Sequence, residues 1–167
     1  MKNDIVREPS HQEGGSLQEK VLSIKRCVTV RKGGRRFSFS ALVIVGDGNG
    51  RVGLGFGKAN EVVDAIKKAV DDAHKNLVTI HFDGVTIAYD VHANFCGSRV
   101  LIKSARKGTG IVAGSHVRSI LELVGIKDVV AKNLRGSNPC NQVRAAFEAL
   151  AKLKNREDLL AKRGALL

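Results

Sequence analysis

The residues of this sequence with the clearest chemical role are Lys and Arg side chains that flank glycines in two segments. Such side chains are suited to bind phosphate groups. Four cations surround the pair Gly33-Gly34, in the order Arg31, Lys32, Arg35 and Arg36. A second segment, Arg106–Gly110, places two cations before a Gly-Thr-Gly string. Glycine permits the positive φ of a tight turn, and exposed cations bind nucleic-acid phosphates by releasing counterions. Both segments are therefore predicted to contact a polyanion.

The overall charge supports this prediction. The 167 residues contain 28 Lys and Arg against 16 Asp and Glu, a formal net charge of +12. No acid occurs from Lys20 to Gly46 or from Val91 to Leu121. A generally basic, solvated surface would explain the net charge of +12. It would not explain why acidic residues are absent from two long stretches. The distribution favours a nucleic-acid partner, although charge alone does not distinguish RNA from DNA.

Two glycine-rich strings resemble nucleotide-binding motifs. Gly48–Gly53 matches GxGxxG, but alternating apolar residues follow it where a dinucleotide fold needs a helix, so it is predicted to be a hairpin turn. Lys107–Gly110 lacks the remaining Walker A residues. Its backbone N–H groups are expected to bind phosphate at the start of a helix, and a flexible surface loop is the alternative.

Nothing in the sequence predicts an enzyme, a metal site or a cofactor. His92 and Cys96 are four residues apart, but a zinc site needs about four ligands and no second pair follows. No nucleophile motif or acidic pair is placed for catalysis. Aromatic residues are only 4% of the chain, which favours backbone and shape recognition of structured RNA over base stacking. The longest apolar runs fall far below the roughly 20 residues of a membrane-spanning helix.

The elements that would position these cations follow from hydrophobic periodicity. Residues 1–16 are predicted to form a polar, flexible tail. Three strands are predicted where apolar residues alternate, over Leu22–Val30, Phe37–Val45 and Val52–Phe56. Helical spacing follows over Val62–Ala73. Residues 17–76 are therefore predicted to be a domain with a three-stranded antiparallel sheet and one helix.

Residues 77–155 are predicted to form a second domain, an α/β sandwich with two helices on a mostly four-stranded sheet, before a tail at 156–167. Strands Leu77–Phe82 and Val85–His92 are expected to pair through a turn at Asp83-Gly84. Further strands are predicted at Arg99–Ser104 and Asp128–Leu134. One helix is predicted to end at Gly125, with an apolar face formed by Ala113, Val117, Ile120, Leu121 and Val124. Another is predicted to begin at Asn138-Pro139 in a cap-then-proline pattern. The fold class is α+β.

Several long motifs now identify a family. Val30–Leu42, Val45–Lys58, Lys107–Gly114 and Ser137–Pro139 closely resemble, in this order, the bacterial small-subunit ribosomal protein number five family. The resemblance runs from about Leu17 to Leu153, and 162–164 looks like the family's C-terminal signature. It implies an N-terminal domain similar to a double-stranded-RNA-binding domain without its first helix.

The resemblance also implies a function and a location. Family members are structural, cytoplasmic proteins of the ribosome that bind small-subunit ribosomal RNA where head and body meet. The implied neighbours are small-subunit proteins four and eight and the mRNA at its entry path, and contact with protein four influences decoding accuracy. No membrane, cofactor or small-molecule substrate is implied.

The cationic segments and the family motifs together give the residues expected to contact RNA. They are Lys25, Arg26, Arg31, Lys32, Gly33, Gly34, Arg35, Arg36, Phe37, Arg51, Gly53, Gly55, Lys58, Arg106, Lys107, Gly108, Thr109, Gly110, Arg118, Lys132, Arg135 and Asn138.

Two departures from the family pattern concern loop geometry. Ser104-Ala105 stands where the family usually has Pro-Ala, which predicts a less rigid Gly-Thr-Gly loop. Gly136 lies one place away from the glycine of the family's Gly-Ser-x-Asn-Pro string, which changes the approach to the last helix.

Two other functions compete with a ribosomal role. One is an RNA-processing enzyme or its basic subunit, against which the absence of a carboxylate cluster for magnesium counts. The other is a free-standing regulator that binds duplex RNA. Co-sedimentation with the small subunit separates the regulator from a ribosomal protein.

Overall fold

The computed structural model describes residues 17–82 and 84–154, so the predicted tails and the Asp83 turn position lie outside the described residues. The first half contains four strands and one helix: β1 (Gln18–Arg31), β2 (Gly34–Gly46), β3 (Arg51–Ala59), α1 (Val62–Lys75) and β4 (Leu77–Thr79). The strands form an antiparallel sheet in the order β1-β2-β3-β4.

Residues 84–154, the described part of the second half, contain a second four-stranded sheet and two helices. Their elements are β5 (Val91–Phe95), β6 (Ser98–Ser104), β7 (Ile111–Val112), α2 (Ser115–Val124), β8 (Val129–Arg135) and α3 (Pro139–Ala151). The sheet order is β5-β6-β8-β7, and only the β7–β8 pair is parallel. The predicted α+β class is confirmed. No helix in the described part of the chain is long and apolar enough to cross a membrane.

The predicted hairpin of Leu77–Phe82 with Val85–His92 is wrong. Leu77–Thr79 pairs with β3, which gives the first sheet a fourth strand in place of the predicted three. The strand of the second sheet begins at Val91 and pairs with β6. The physical reason is that the chain leaves α1 beside the free edge of β3, where the Ile80 N–H donates to the Gly50 carbonyl at 2.8 Å.

Helix α1 approaches β3 closely because glycines line the strand face beneath it. Gly53, Gly55 and Gly57 are buried, and a Cβ atom on any of them would overlap a carbonyl oxygen of α1. The helix presents the small residues Ala65, Ala69 and Ala73 to this face, and all are fully buried. Glycine in a strand often marks a place where a ligand or another backbone approaches closely. In β3 the approaching backbone is that of α1.

The part of β2 from Ser40 to Gly46 is buried on both faces, and one of these faces joins the core of the second half. Ala41, Val43 and Val45 pack with α1. The opposite face, with Leu42 and Ile44, belongs to the cluster that contains the buried residues of the second half. Helix α2 contacts the first sheet and also α3, so it lies between the two halves.

The turn between β2 and β3 fastens this junction. The N–H groups of Gly48 and Gly50 donate to the carbonyls of Leu123 and Val124 at 2.9 Å each. Gly125 ends α2 with a φ of 96°, and a Cβ atom there would overlap the Gly48 carbonyl. The GxGxxG string is therefore a hairpin turn, as predicted, and it docks onto the end of a helix.

Candidate nucleic-acid interface

The first candidate surface is the ribbon, which we define as Lys25–Arg31 of β1 with Gly34–Ser40 of β2. The strands pair up to Arg31 and Gly34, so the connection is a two-residue turn. Gly33 and Gly34 have φ values of +93° and +139°, and nothing lies within 4 Å of a Cβ atom built on either. Residues 28–37 are all exposed. The turn thus needs glycine for its backbone geometry and not for packing.

One face of the ribbon, the polar face, carries most of its positive charge. Cross-strand partners share a face in an antiparallel sheet. The row Lys25–Ser40–Lys58 crosses three strands, and the next rows toward the turn pair Cys27 with Ser38 and Thr29 with Arg36. Ser40 is buried, and its hydroxyl donates to the Lys25 carbonyl at 3.4 Å. The exposed cations and the exposed Thr29 hydroxyl are therefore the groups of this face available to phosphate oxygens.

The other face, the apolar face, continues the side of the sheet on which α1 packs. Its residues include Val28, Val30 and Phe37, which are 46%, 75% and 48% exposed. The cations Arg26 and Arg35 lie on the same face, as the cross-strand partners of Phe39 and Val30. The Arg26 guanidinium lies 4.9 Å from the centre of the Phe37 ring. The ribbon therefore presents two chemically different faces.

The cations of the ribbon are available to a ligand. Within residues 17–82 and 84–154 the ion pairs are Lys20–Glu122, Lys103–Asp90 and Arg118–Glu122, and none involves the ribbon. The acid-free stretch seen in the sequence thus becomes an exposed strip of positive charge. Such a strip binds polyanions in a strongly salt-dependent way.

The loop Arg106–Gly110 differs from its prediction in two respects. It leads into the short strand β7, and α2 begins only at Ser115. The N–H groups of Gly108 and Gly110 donate to Oδ1 of Asp128 at 3.0 and 2.8 Å. These two groups therefore do not serve a phosphate, and that part of the prediction is wrong.

The side chains of this loop remain accessible. Arg106, Lys107 and Thr109 are exposed. The Thr109 hydroxyl donates to the Arg106 carbonyl at 2.7 Å, which closes the turn internally. Arg106 and Lys107 are therefore the groups of this loop that remain free to bind a phosphate.

The departure at Ser104 is compensated by hydrogen bonds. The Ser104 N–H donates to Oδ1 of Asp90 at 3.1 Å, and its hydroxyl lies 3.4 Å from the same oxygen. The Ala105 N–H donates to the Thr86 hydroxyl at 3.3 Å. A proline at 104 could not donate its nitrogen. The Asp90 and Thr86 side chains therefore hold the backbone of this segment in place.

Gly53 and Gly55 are excluded as direct RNA contacts because both lie buried beneath α1.

Arg118 forms an ion pair with Glu122 at 3.0 Å, and Lys20 reaches the same carboxylate at 2.8 Å. Hydrogen bonds from Lys20 and Arg118 lower the pKa of Glu122. Arg118 is therefore partly neutralised, unlike the ribbon cations.

The remaining predicted residues lie in separate places. Arg51 is exposed at the start of β3, and its N–H donates to Asp47. The Lys58 ammonium lies 5.6 Å from the centre of the Phe56 ring. Asn138 caps α3 by accepting from the Cys140 N–H at 3.2 Å, as the cap-then-proline pattern predicted.

The face of the second sheet that bears Lys132 was only partly anticipated. Lys132 is the partner of Leu101, and Lys103 is the partner of Val130. Arg99 and Lys103 are also exposed, so the sequence prediction missed two cations near Lys132 and Arg135. Strand alternation over Arg99–Ser104 could have found them.

Gly136 has a φ of +83° and its carbonyl accepts from the Asn133 and Gln142 side-chain amides at 2.6 and 2.8 Å. Gly136, although one place away from the glycine of the family pattern, is thus the left-handed residue of the turn that leads to α3.

Comparison with known proteins decides the family. Residues 17–81 match the family model "Ribosomal protein S5, N-terminal domain", and residues 93–163 match "Ribosomal protein S5, C-terminal domain". The chain belongs to the ribosomal protein S5 family.

Full-length relatives agree with this assignment. The small ribosomal subunit protein uS5 of Protochlamydia amoebophila is 51% identical over 97% of this chain and 97% of its own length. Those of Chlamydia felis and of Chlamydia trachomatis serovar D are 56% and 53% identical over 92% and 94% of this chain, and over 93% and 95% of their own lengths.

Membership of this family establishes the general function of the protein. The chain is a structural protein of the bacterial small ribosomal subunit, located in the ribosome in the cytoplasm, and it is not an enzyme. The resemblance inferred from the sequence motifs is confirmed. The RNA-processing-enzyme alternative has no support in the family.

Proposed function

We propose that this protein binds small-subunit ribosomal RNA at the junction of head and body, with the polar face of the ribbon as its main phosphate-binding surface. The observation that carries the proposal is that Lys25, Arg36 and Lys58 share this face, are exposed and form no ion pair within the described residues. Phosphate contacts fix the position of a protein on RNA without reading its sequence.

The loop Arg106–Gly110 provides a second contact in this proposal. Its cations belong to the second half of the chain, whereas the ribbon belongs to the first. Two separate basic surfaces on halves that share a core suit an RNA junction, because each surface can hold a different RNA segment. The predicted domains, 17–76 and 77–155, would each contribute one of these surfaces.

The finer partners follow from the family resemblance. Small-subunit proteins four and eight are the proposed protein neighbours, the mRNA passes nearby at its entry path, and contact with protein four affects decoding accuracy. The exposed apolar face of the ribbon supports protein contacts in the assembled subunit, since exposed aliphatic clusters commonly mark interaction sites.

Sedimentation in a sucrose gradient tests the proposal. After a high-salt wash, the wild-type protein should co-migrate stoichiometrically with the small subunit. A Lys25→Ala/Arg36→Ala variant, which removes two cations of the polar face, should be under-represented. Lys67→Ala/Lys68→Ala, which removes the same charge from exposed positions of α1, should be incorporated normally. Protein that sediments free of the subunit would favour the duplex-RNA regulator.

A further inference from the structure

The loop Arg106–Gly110 encloses an acidic side chain of its own chain. Asp128 is only 5% exposed, and its Oδ1 accepts the N–H groups of Gly108 and Gly110. These glycines have φ values of +90° and +73°. Converging N–H groups beside residues of positive φ form the concave site in which proteins commonly bind anions. Here the carboxylate of Asp128 occupies that site.

The neighbouring backbone fixes Asp128 in place. The Asp128 N–H donates to the Val85 carbonyl at 2.9 Å, and the next residue, Val129, donates to the Gly110 carbonyl at 3.2 Å. Gly110 is thus held through its N–H by the Asp128 side chain and through its carbonyl by the β8 backbone. The loop and the start of β8 form one hydrogen-bonded unit.

We infer that Asp128 is a positioning residue for RNA binding: its carboxylate replaces a bound anion, holds the loop in shape before RNA arrives, and so directs Arg106 and Lys107 outward. The inference rests on the proposed function for what these two cations contact. A loop that is already ordered does not have to be ordered on binding, which increases affinity.

For the Asp128→Ala variant, the inference predicts a change in RNA affinity opposite in direction to the change expected from charge alone. Asp128→Ala removes a negative charge from a protein of net charge +12, and charge alone would strengthen RNA binding. Loss of positioning would weaken it. Asp71→Ala is the matched control because it removes the same charge from an exposed position of α1. Asp128→Asn retains an oxygen that can accept both N–H groups.

Two measurements on the intact chain test the inference. The first is hydrogen exchange of the Gly108 and Gly110 amides, which should become at least about tenfold faster in Asp128→Ala and change little in Asp128→Asn and Asp71→Ala. The second is affinity for small-subunit ribosomal RNA. Asp128→Ala should bind about three- to tenfold more weakly, the effect of having to order one or two long side chains, whereas Asp71→Ala should bind as tightly as the wild type or more tightly.

Unchanged exchange in Asp128→Ala, or RNA binding that strengthens as in Asp71→Ala, would overturn the inference. Should Asp128→Ala lose its fold, Asp128→Ser takes its place, since serine is polar but too short to reach both N–H groups. Failure of the wild-type protein to bind the RNA would instead contradict the proposed function, while exchange still reports separately on the loop.

Discussion

At Gly55 the lack of a side chain allows α1 to lie against β3. A Cβ atom there would overlap the Ala69 carbonyl, which belongs to rigid helical backbone. We expect Gly55→Ala to destabilise the protein by about 1–3 kcal/mol or more, as overpacked cores do. Urea denaturation measures the loss. Gly97→Ala is the control because nothing lies within 4 Å of a Cβ atom at Gly97, and equal stability of the two variants would contradict this packing.

Glu122 of α2 forms ion pairs with Lys20 of β1 and with Arg118 of its own helix. Because these partners lower the pKa of Glu122 in the folded protein, the carboxylate contributes stability above the ordinary pKa of glutamate. That contribution is lost as the pH falls through the lowered pKa. The side chain is 38% exposed, so solvent screens the pair and only about 0.2–1 kcal/mol is expected.

Glu122→Gln should therefore be slightly less stable than the wild type at neutral pH, and the difference should vanish in acid. Thermal or urea denaturation across pH measures this. Glu148→Gln is the control because Glu148 forms no ion pair with another described residue. A difference between Glu122→Gln and wild type that grows toward low pH would have the wrong sign.

At the scale of elements, the turn of the ribbon depends on backbone geometry alone. Gly33→Val forces a β-branched residue into positive φ, where no packing compensates it. We expect this variant to lose about 1–2 kcal/mol of stability and to bind ribosomal RNA more weakly. Gly33→Asn should be milder, since asparagine tolerates this conformation better. Equal effects of Val and Asn on denaturation and RNA affinity would contradict a geometric role.

Elements made of neighbouring residues were predictable from sequence. The ribbon was predictable because apolar residues alternate along β1 and β2 and a glycine pair lies between them. The start of α3 was predictable from Asn138-Pro139. Elements that depend on distant partners were not. The pairing of Leu77–Thr79 with β3 reflects a free strand edge, and the occupation of the loop amides by Asp128 joins positions about twenty residues apart.

At the scale of the whole molecule, the two halves are predicted to unfold together. Leu42 and Ile44 share a core with the second half, and the β2–β3 turn bonds to the end of α2. Periodicity anticipated the burial of Ile120, Leu121 and Val124. It missed Leu123, which contacts Gly46 of the other half, because a helix between two layers is apolar on more than one side.

Gly125→Ala tests this junction. The new methyl group would overlap the Gly48 carbonyl and would require a strained positive φ, so we expect a loss of at least about 1–3 kcal/mol. Hydrogen exchange should accelerate in β3 as well as in α2. Faster exchange confined to the second half would show that the halves are independent, and Gly114→Ala, with open space around its Cβ position, is the control.

The central claim is that exposed cations of the ribbon bind ribosomal RNA through its phosphates, and the salt dependence of affinity tests it most directly. For about 6–10 phosphate contacts, the wild-type affinity for small-subunit RNA should fall roughly 10³–10⁵-fold between 50 and 200 mM salt. Arg35→Ala/Arg36→Ala should reduce the slope of log affinity against log salt by about 1.5–2, while Lys67→Ala/Lys68→Ala should leave it nearly unchanged. An affinity that stays flat across this range, or equal slopes in the two variants, would contradict the account.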